Sequence, residues 1–515
     1  MASRIGALIA ALLAGGLALF VLAPLLAVAG RATGFVLGPA DWATVRFTVA
    51  QAFLSAVFSV GLAVPVARAL ARRSFVGRDA LITVMGAPFL LPTIVAVLGL
   101  VAVFGRSGVV NQGLGTFGLG PFSIYGAHGV VLAHVFLNLP LAVRMLLQGW
   151  LSIPAERFRL AESLGFCPSE VFRHLERPML RSIGPGAFMV IFVICLTSFA
   201  VALTLGGGPG ATTVELAIFQ AVRFEFDLGR AALLAGVQFV LCAVVAGLGW
   251  LIVTPAAFGP GLGRAPALRA PKGWRLWGDA LAIGLAAAFL LVPLGAVVLR
   301  GLPGLIDLPA SVWAAAGRSV LVALISTFVT VAAALVLALA VARGVRGSGA
   351  MDAVAVLPLA TSGLVLGVGL FLMVQPFVSP ARLALPVTVA VNAALSLPFV
   401  YRLLLPEARV LQVDYGRLSA SLGIVGPAWL WLVAVPRLAR PLGFGAGLSA
   451  ALSMGDLGVI ALFATEQGAT LPLVVQRLIG AYRMTAAAGA SLVLIVISFA
   501  LFWAFDAWGR RYAAA

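Results

Sequence analysis

Charge is what this sequence has least of. Only 10% of its 515 residues are Asp, Glu, Lys or Arg, against about 25% in an ordinary soluble domain. The apolar share is 62% and the mean hydropathy +1.13, which excludes a soluble globular class and points to a membrane protein. Lysine is nearly absent. Lys272 stands alone and is followed by glycine, whereas a phosphate-binding G-x-x-x-x-G-K-[ST] loop needs Ser or Thr there, so the chain carries no such ATP site. The three histidines, His128, His134 and His174, make no H-E-x-x-H pattern, and Cys167, Cys195 and Cys242 make no C-x-x-C pair. Neither a metal site nor a disulfide framework is expected, and no catalytic constellation is present. Acids are scarcer than bases, 17 against 34. The arginines are scattered singly between apolar runs, which suits topology signals rather than a nucleic-acid surface.

What is present is a series of long apolar runs. About twenty apolar residues cross a bilayer as a helix. On that rule twelve spans are expected, at 5–30, 46–70, 80–104, 124–150, 183–205, 231–256, 279–300, 311–342, 352–377, 383–405, 441–464 and 486–508. The first run exceeds the roughly 7–15 residues of a signal-peptide core, so it reads as an uncleaved span. Prolines inside runs, such as Pro24, Pro140, Pro293 and Pro398, are tolerated where neighbours satisfy the freed carbonyls. Placing the N-terminus inside puts most of the basic residues on one face of the membrane. Both termini are therefore expected in the cytoplasm. The expected fold is an all-α polytopic membrane protein.

The runs are interrupted by a charged island, Pro154 to Arg181, reading PAERFRLAESLGFCPSEVFRHLERPMLR. Its residues predict a helix to Leu164, a left-handed turn at Gly165, a second short helix from Pro168, and a stop at Pro178. Arg417 to Arg440 repeats the pattern, with Gly423 and Pro436 again thirteen apart. A shift of 258 residues also pairs Leu139-Pro140 with Leu397-Pro398 and Arg144 with Arg402. A shift near 271 pairs Thr48 with Ser319, Ser55 with Ser326 and Arg72 with Arg343. This is an internal duplication: two parallel repeats of six spans, 1–257 and 279–515, joined by a basic cytoplasmic linker at 258–278. The repeated loops lie at about 154–181 and 412–440. Eight charged residues fall between Pro154 and Pro178; none falls between Arg417 and Arg437.

One acid is placed at membrane depth. Asp456 sits in LSMGDLGVIALF with no cation nearby in sequence. Such a group faces a cavity or a partner, or else braces the helix ends beside Gly455 and Gly458. Its counterpart in the first repeat is Ser198. Asp456 and Ser198 are the candidates for a translocation pathway. His134 and Asn138, four apart, are expected to pack as a hydrogen-bonded pair.

The two helix–glycine–helix–proline loops resemble those with which permease subunits of type I ABC importers grip their ATPases. The family pattern, E-A-A-x-x-x-G with a proline thirteen residues later, falls on Arg159, Leu160, Ala161, Gly165 and Pro178, and on Arg417, Leu418, Ser419, Gly423 and Pro436. Arginine replaces the leading glutamate in both copies. Across the whole chain the sequence is similar to the fused permeases of thiamine and thiamine pyrophosphate importers, most clearly in QAFLSAVFSVGLAVPVARAL, LAHVFLNLPLAVRMLLQ, SFAVALTLGGGPGATTVELAIFQA and SMGDLGVIALF. The resemblance implies a translocation subunit of the bacterial inner membrane that is not itself an enzyme and holds no cofactor. It implies two copies of a separate ATP-binding subunit docked on the inner loops and a periplasmic binding protein at the outer mouth. Fused ferric iron permeases are the alternative within that class; a secondary transporter, with its inverted repeats, is the alternative outside it.

Overall fold

The computed structural model describes all residues except 1, 32–36, 86–90, 253–272, 307, 466–467 and 515. Most of the expected linker, 258–272, lies outside the described residues. Among the described residues every regular element is helical, as the long apolar runs predict. The first half contains α1 (Ala2–Arg31), α2 (Pro39–Arg72), α3 (Arg78–Val84), α4 (Thr93–Phe104), α5 (Val109–Thr116) and α6 (Ala127–Leu151). It continues through α7 (Ala155–Ser163), α8 (Pro168–Val171), α9 (Arg177–Leu196), α10 (Ala200–Leu205), α11 (Val214–Gln220) and α12 (Leu228–Ile252). The second half opens with α13 (Trp274–Gly304), α14 (Ala310–Ala342), α15 (Ser348–Val356), α16 (Gly363–Val374) and α17 (Ala384–Ser421). It closes with α18 (Pro427–Trp429), α19 (Val435–Met454), α20 (Gly458–Phe463), α21 (Leu471–Gly480) and α22 (Met484–Ala514). Eleven helical stretches among the described residues are long and apolar enough to cross a membrane, or twelve if one bent pair counts as a span. The chain is an all-α, multi-pass membrane protein.

Four expected spans are not single straight helices, the run at 80–104 among them, since α3 ends at Val84 and α4 begins at Thr93. The run at 352–377 divides into Ser348–Ala360 and α16, bent by 94°. Pro358 interrupts the first piece, and Ser362 caps the second by accepting from the Val365 N–H at 3.1 Å. The runs at 183–205 and 441–464 each break near their ends, between α9 and α10 and between α19 and α20. The expected span at 383–405 errs the other way. α17 continues to Ser421 as one 38-residue helix that absorbs Pro398 and Pro406.

The chain forms two compact units. One comprises Met1–Val36, Val214–Val240 and Arg300–Ala515; the other comprises Leu37–Thr213 and Leu241–Leu299. Each unit is built on a triangle of mutually packed helices, α2, α6 and α9 in one and α14, α17 and α19 in the other. Each also takes in the first helix of the opposite half of the sequence, since α1 packs on α14 and α16, while α13 belongs with α2 through α10. The two docking contacts correspond. Gly99 of α4 lies so close to α13 that a Cβ there would stand 2.8 Å from the Pro293 carbonyl oxygen. A Cβ at Gly369 of α16 would stand 2.7 Å from the Pro24 carbonyl carbon of α1.

Such contacts are how helices associate where burying leucine gains nothing over lipid: small residues let backbones approach until dispersion and weak C–H···O contacts hold them. The α19–α22 pair uses the same device at Gly443, whose Cβ would meet the Gly509 Cα at 2.6 Å. Filling these sites forces the helices apart at a cost of about 1–3 kcal/mol. Gly99→Val and Gly369→Val should therefore each lower the thermal midpoint of the detergent-purified protein. Gly61→Val, where nothing lies within 4 Å, should leave it close to wild type. Equal midpoints for all three would rule out backbone approach as the cause.

Candidate functional site: the repeated loops and the broken helices

The first loop begins where α6 ends at Leu151. A short α7 follows, and Gly165 then adopts φ +72°, the left-handed conformation its position predicts. The turn is closed by Phe166 N–H donating to the Ala161 carbonyl (2.9 Å) and Gly165 N–H to that of Glu162 (3.0 Å). Glu170 caps the next helix, its Oε2 accepting from the Cys167 N–H at 2.7 Å. The expectation that Pro178 stops this helix is not met. Phe172–Glu176 widens into a π turn, with Arg177 N–H donating to the Phe172 carbonyl, and the helix runs on into α9 with Pro178 in its first turn. Widening the ladder lowers the cost of a proline, which has no N–H to donate and whose ring crowds the carbonyl of the preceding turn.

The second loop repeats this backbone. Gly423 has φ +68°, and Ile424 N–H donates to the Ser419 carbonyl at 2.9 Å, the counterpart of the Phe166–Ala161 bond. A π turn at Leu430–Ala434 again precedes the proline, Pro436. The one addition is Gly426, at φ +65°, which accommodates the extra residue before Pro427.

The side chains that fasten the two loops differ in kind. In the first, Glu176 is buried and its Oε2 lies 2.6 Å from the Arg68 guanidinium on α2, with Arg72 one turn further on at 3.9 Å. Arg68 also stands 5.2 Å from the centre of the Phe172 ring. Removing Arg68 would leave the buried Glu176 carboxylate without its close partner, at a cost of about 3–5 kcal/mol. In the second loop, Arg343, at the end of α14, lies over the Trp429 ring at 4.2 Å. The Trp429 indole N–H donates to the Ser419 Oγ (3.2 Å), and Arg437 covers the Tyr415 ring at 4.8 Å. Such cation–π contacts contribute about 0.5–2 kcal/mol each, depending on desolvation.

Of the residues matched to the family pattern, Arg159, Gly165, Pro178, Arg417 and Gly423 are exposed and Pro436 is partly so. Ala161 and Ser419 are buried beneath them. Around them Leu160, Leu164, Leu418, Leu422 and Trp431 each expose more than half of their surface. Each loop therefore presents an apolar ridge.

Ser198 and Asp456 fall on the two helix breaks, Ser198 between α9 and α10 and Asp456 between α19 and α20. The Asp456 carboxylate is bonded by the backbone N–H groups of Gly458 and Val459 at the start of α20, while its shielded Oδ2 has no partner among the described residues. A carboxylate facing a helix N-terminus is favourably placed, and the free oxygen leaves one acceptor position open.

One helical turn before each break lies a polar junction that inspection of the sequence missed. Around the Cys195 end of α9, Gln51 Nε2 donates to the Cys195 carbonyl (3.0 Å), Asn138 Nδ2 reaches its Sγ (3.4 Å), and Ser55 Oγ meets His134 Nδ1 (3.4 Å). Asn138 also donates to the His134 carbonyl (2.9 Å), the expected pair. In the other unit, Ser453 Oγ receives Asn392 Nδ2 (3.0 Å) and bonds Ser326 Oγ (2.9 Å). The signal was available, because the shift of 258 that pairs the loops also pairs His134 with Asn392 and Cys195 with Ser453. Among the described residues no group of three or more His, Cys, Asp or Glu side chains is placed to hold a metal ion.

No family model matches the chain. It is, however, similar along nearly its whole length to several curated proteins. It is 38% identical over 491 residues to the thiamine transport system permease protein ThiP of Salmonella typhimurium, covering 92% of this chain and 90% of that one. With the protein of the same name from Brucella abortus it shares 37% over 510 residues, covering 95% and 93%. With that of Escherichia coli it shares 38% over 480 residues, covering 90% and 88%.

Because neither turn glycine has anything within 4 Å of a Cβ position, the demand on it is purely conformational. Gly165→Val should cost about 1–3 kcal/mol of local backbone strain, whereas Gly165→Asn, which tolerates the left-handed region, should cost little. Limited proteolysis of the loop in membranes reads this directly, and similar cleavage of the two variants would contradict it.

Proposed function

The chain belongs to the family of thiamine transport system permeases, and we propose that it is the membrane-spanning subunit of an ATP-driven importer that carries thiamine and thiamine phosphates across the bacterial inner membrane. The observation that carries this is the full-length similarity to permeases named for thiamine transport, at 37–38% identity. The ferric iron alternative has no support among those relatives. With both termini in the cytoplasm, the repeated loops face the cytoplasm too, and one copy of a separate ATPase docks on each. Arg159, Gly165, Pro178, Arg417, Gly423 and Pro436 belong to the docking surface, and Ala161 and Ser419 set its shape from below. The apolar ridges of Leu160, Leu164, Leu418 and Leu422 support this reading, since exposed leucines on a short amphipathic helix invite a protein partner. A periplasmic binding protein delivers substrate at the outer mouth. ATP binding and hydrolysis by the partner subunits then alternate access across the membrane.

The pathway is proposed to pass the two helix breaks. Thiamine carries a permanent positive charge on its thiazolium ring, and moving it into low dielectric needs a compensating anion. Asp456, whose Oδ2 is unpartnered among the described residues, supplies that charge, while the equivalent position of the other repeat, Ser198, carries only a hydroxyl.

The test is reconstitution with the ATPase and binding protein in liposomes, followed by uptake of radiolabelled thiamine. ATP-dependent accumulation is expected, and accumulation of ferric iron with no response to thiamine would overturn the assignment. In the same vesicles Asp456→Asn should lower thiamine uptake by roughly tenfold, about 1.4 kcal/mol of lost electrostatic stabilisation, with protein level and basal ATPase activity near wild type. If Asp456 only braces the start of α20, membrane abundance and all activities will fall together.

A further inference from the structure

The two loops share one backbone but are tied to the rest of their units through different chemistry, and the ties join equivalent places. Arg72 of α2 and Arg343 of α14 are counterparts at the shift of 271. Each sits at the end of the second helix of its repeat, and each reaches the segment of the loop that precedes the proline. At the other ends of these contacts the sequence has diverged. Glu176 corresponds to Ala434, Arg68 to Leu339 and Phe172 to Leu430, while Trp429 replaces Val171. The second repeat cannot make the ion pair of the first, and the first cannot make the cation–π contact of the second.

In neither unit does the tie lie on the exposed ridge. Glu176 and Trp429 are both buried, 2% and 5% exposed, beneath the surface that the leucines present. A contact so placed does not select a partner. It makes the loop and the end of α2 or α14 move as one body, through side chains that a docked protein does not touch. α2 and α14 in turn pack along α6 and α9, and along α17 and α19, the helices that carry the polar junctions and lead to the breaks at Ser198 and Asp456.

We infer that Arg68–Glu176 and Arg343–Trp429 are the positioning contacts through which each loop drives the second helix of its repeat, an ionic latch in one unit and a cation–π latch in the other. The inference rests on the import function proposed above. Loosening either latch should leave the ATPase docked, because the ridge is intact, but should let the loop move without carrying its helix. Hydrolysis would then continue while less substrate crossed.

The decisive quantity is thiamine imported per ATP hydrolysed, measured on one preparation of the reconstituted complex and normalised to co-purified ATPase. Glu176→Gln and Trp429→Leu should each lower that ratio by roughly fivefold. The exchange Arg68→Glu with Glu176→Arg should restore most of it, as should Trp429→Phe, which keeps a ring face for Arg343. Should Glu176→Gln not reach the membrane, the double variant Arg68→Gln with Glu176→Gln takes its place, since it removes both members of the pair and leaves no buried carboxylate uncompensated. Uptake and hydrolysis falling in parallel in every variant, or unchanged ratios, would overturn the latches. A wild-type complex that hydrolyses ATP but imports no thiamine would instead strike the proposed function; the latches are then judged by ATP-dependent protection of the α2 and α14 ends from limited proteolysis, which Glu176→Gln and Trp429→Leu should abolish and whose persistence in both would overturn them.

Discussion

Helices that lie in lipid cannot be driven together by hiding apolar side chains, because the lipid welcomes leucine as readily as a neighbouring helix does. What remains is close approach of backbones, and the units of this protein depend on it. Pro293 against Gly99, Pro24 against Gly369 and the facing glycines of α19 and α22 each admit a neighbour at a distance that a single methyl group forbids. Polar contacts supply the second ingredient. The junctions around Cys195 and Ser453 each tie three helices at one point, where an unpaired amide or hydroxyl is costly. Leucine and valine then fill the remaining volume.

These constraints were unevenly legible. The helical class, the long apolar runs and the turn glycines could be read directly, since each rests on local chemistry: length of apolar run, or a φ that only glycine adopts cheaply. Positions that depend on contacts remote in sequence could not. Nothing in Gly99 or Gly369 announces that a proline carbonyl from the opposite half of the chain will rest on it. Pro178 and Pro436 misled for a related reason. A proline after a short helix normally stops it, and here a π turn, whose hydrogen bonds skip one residue further, lets the helix continue. The continuation of α17 through Pro398 and Pro406 was hidden likewise, because packing on α14 and α19 outweighs the local penalty.

The two halves of the sequence share some features and differ in others. The loop turns have kept one hydrogen-bond pattern, Phe166 to Ala161 and Ile424 to Ser419, although the residues that make it differ. The polar junctions have kept their location and exchanged their members, histidine for asparagine and cysteine for serine. At the breaks the drift has reached charge, with Asp456 against Ser198. The shared geometry therefore does not depend on identical side chains.

The exchange of first helices has a consequence for how the protein is made. α1 is synthesised first, yet its seat on Gly369 is not translated until α16, when most of the polypeptide already exists. At about 5–20 residues per second, the delay is tens of seconds. Until α14 and then α16 are made, α1 must reside in the bilayer without the helices it packs on, and the arrival of α13 completes the other unit before α1 finds its place. Assembly during translation is thus ordered against the direction of the chain. A ribosome halted after α12 would leave neither unit finished and two glycine seats, one unfilled and one not yet made.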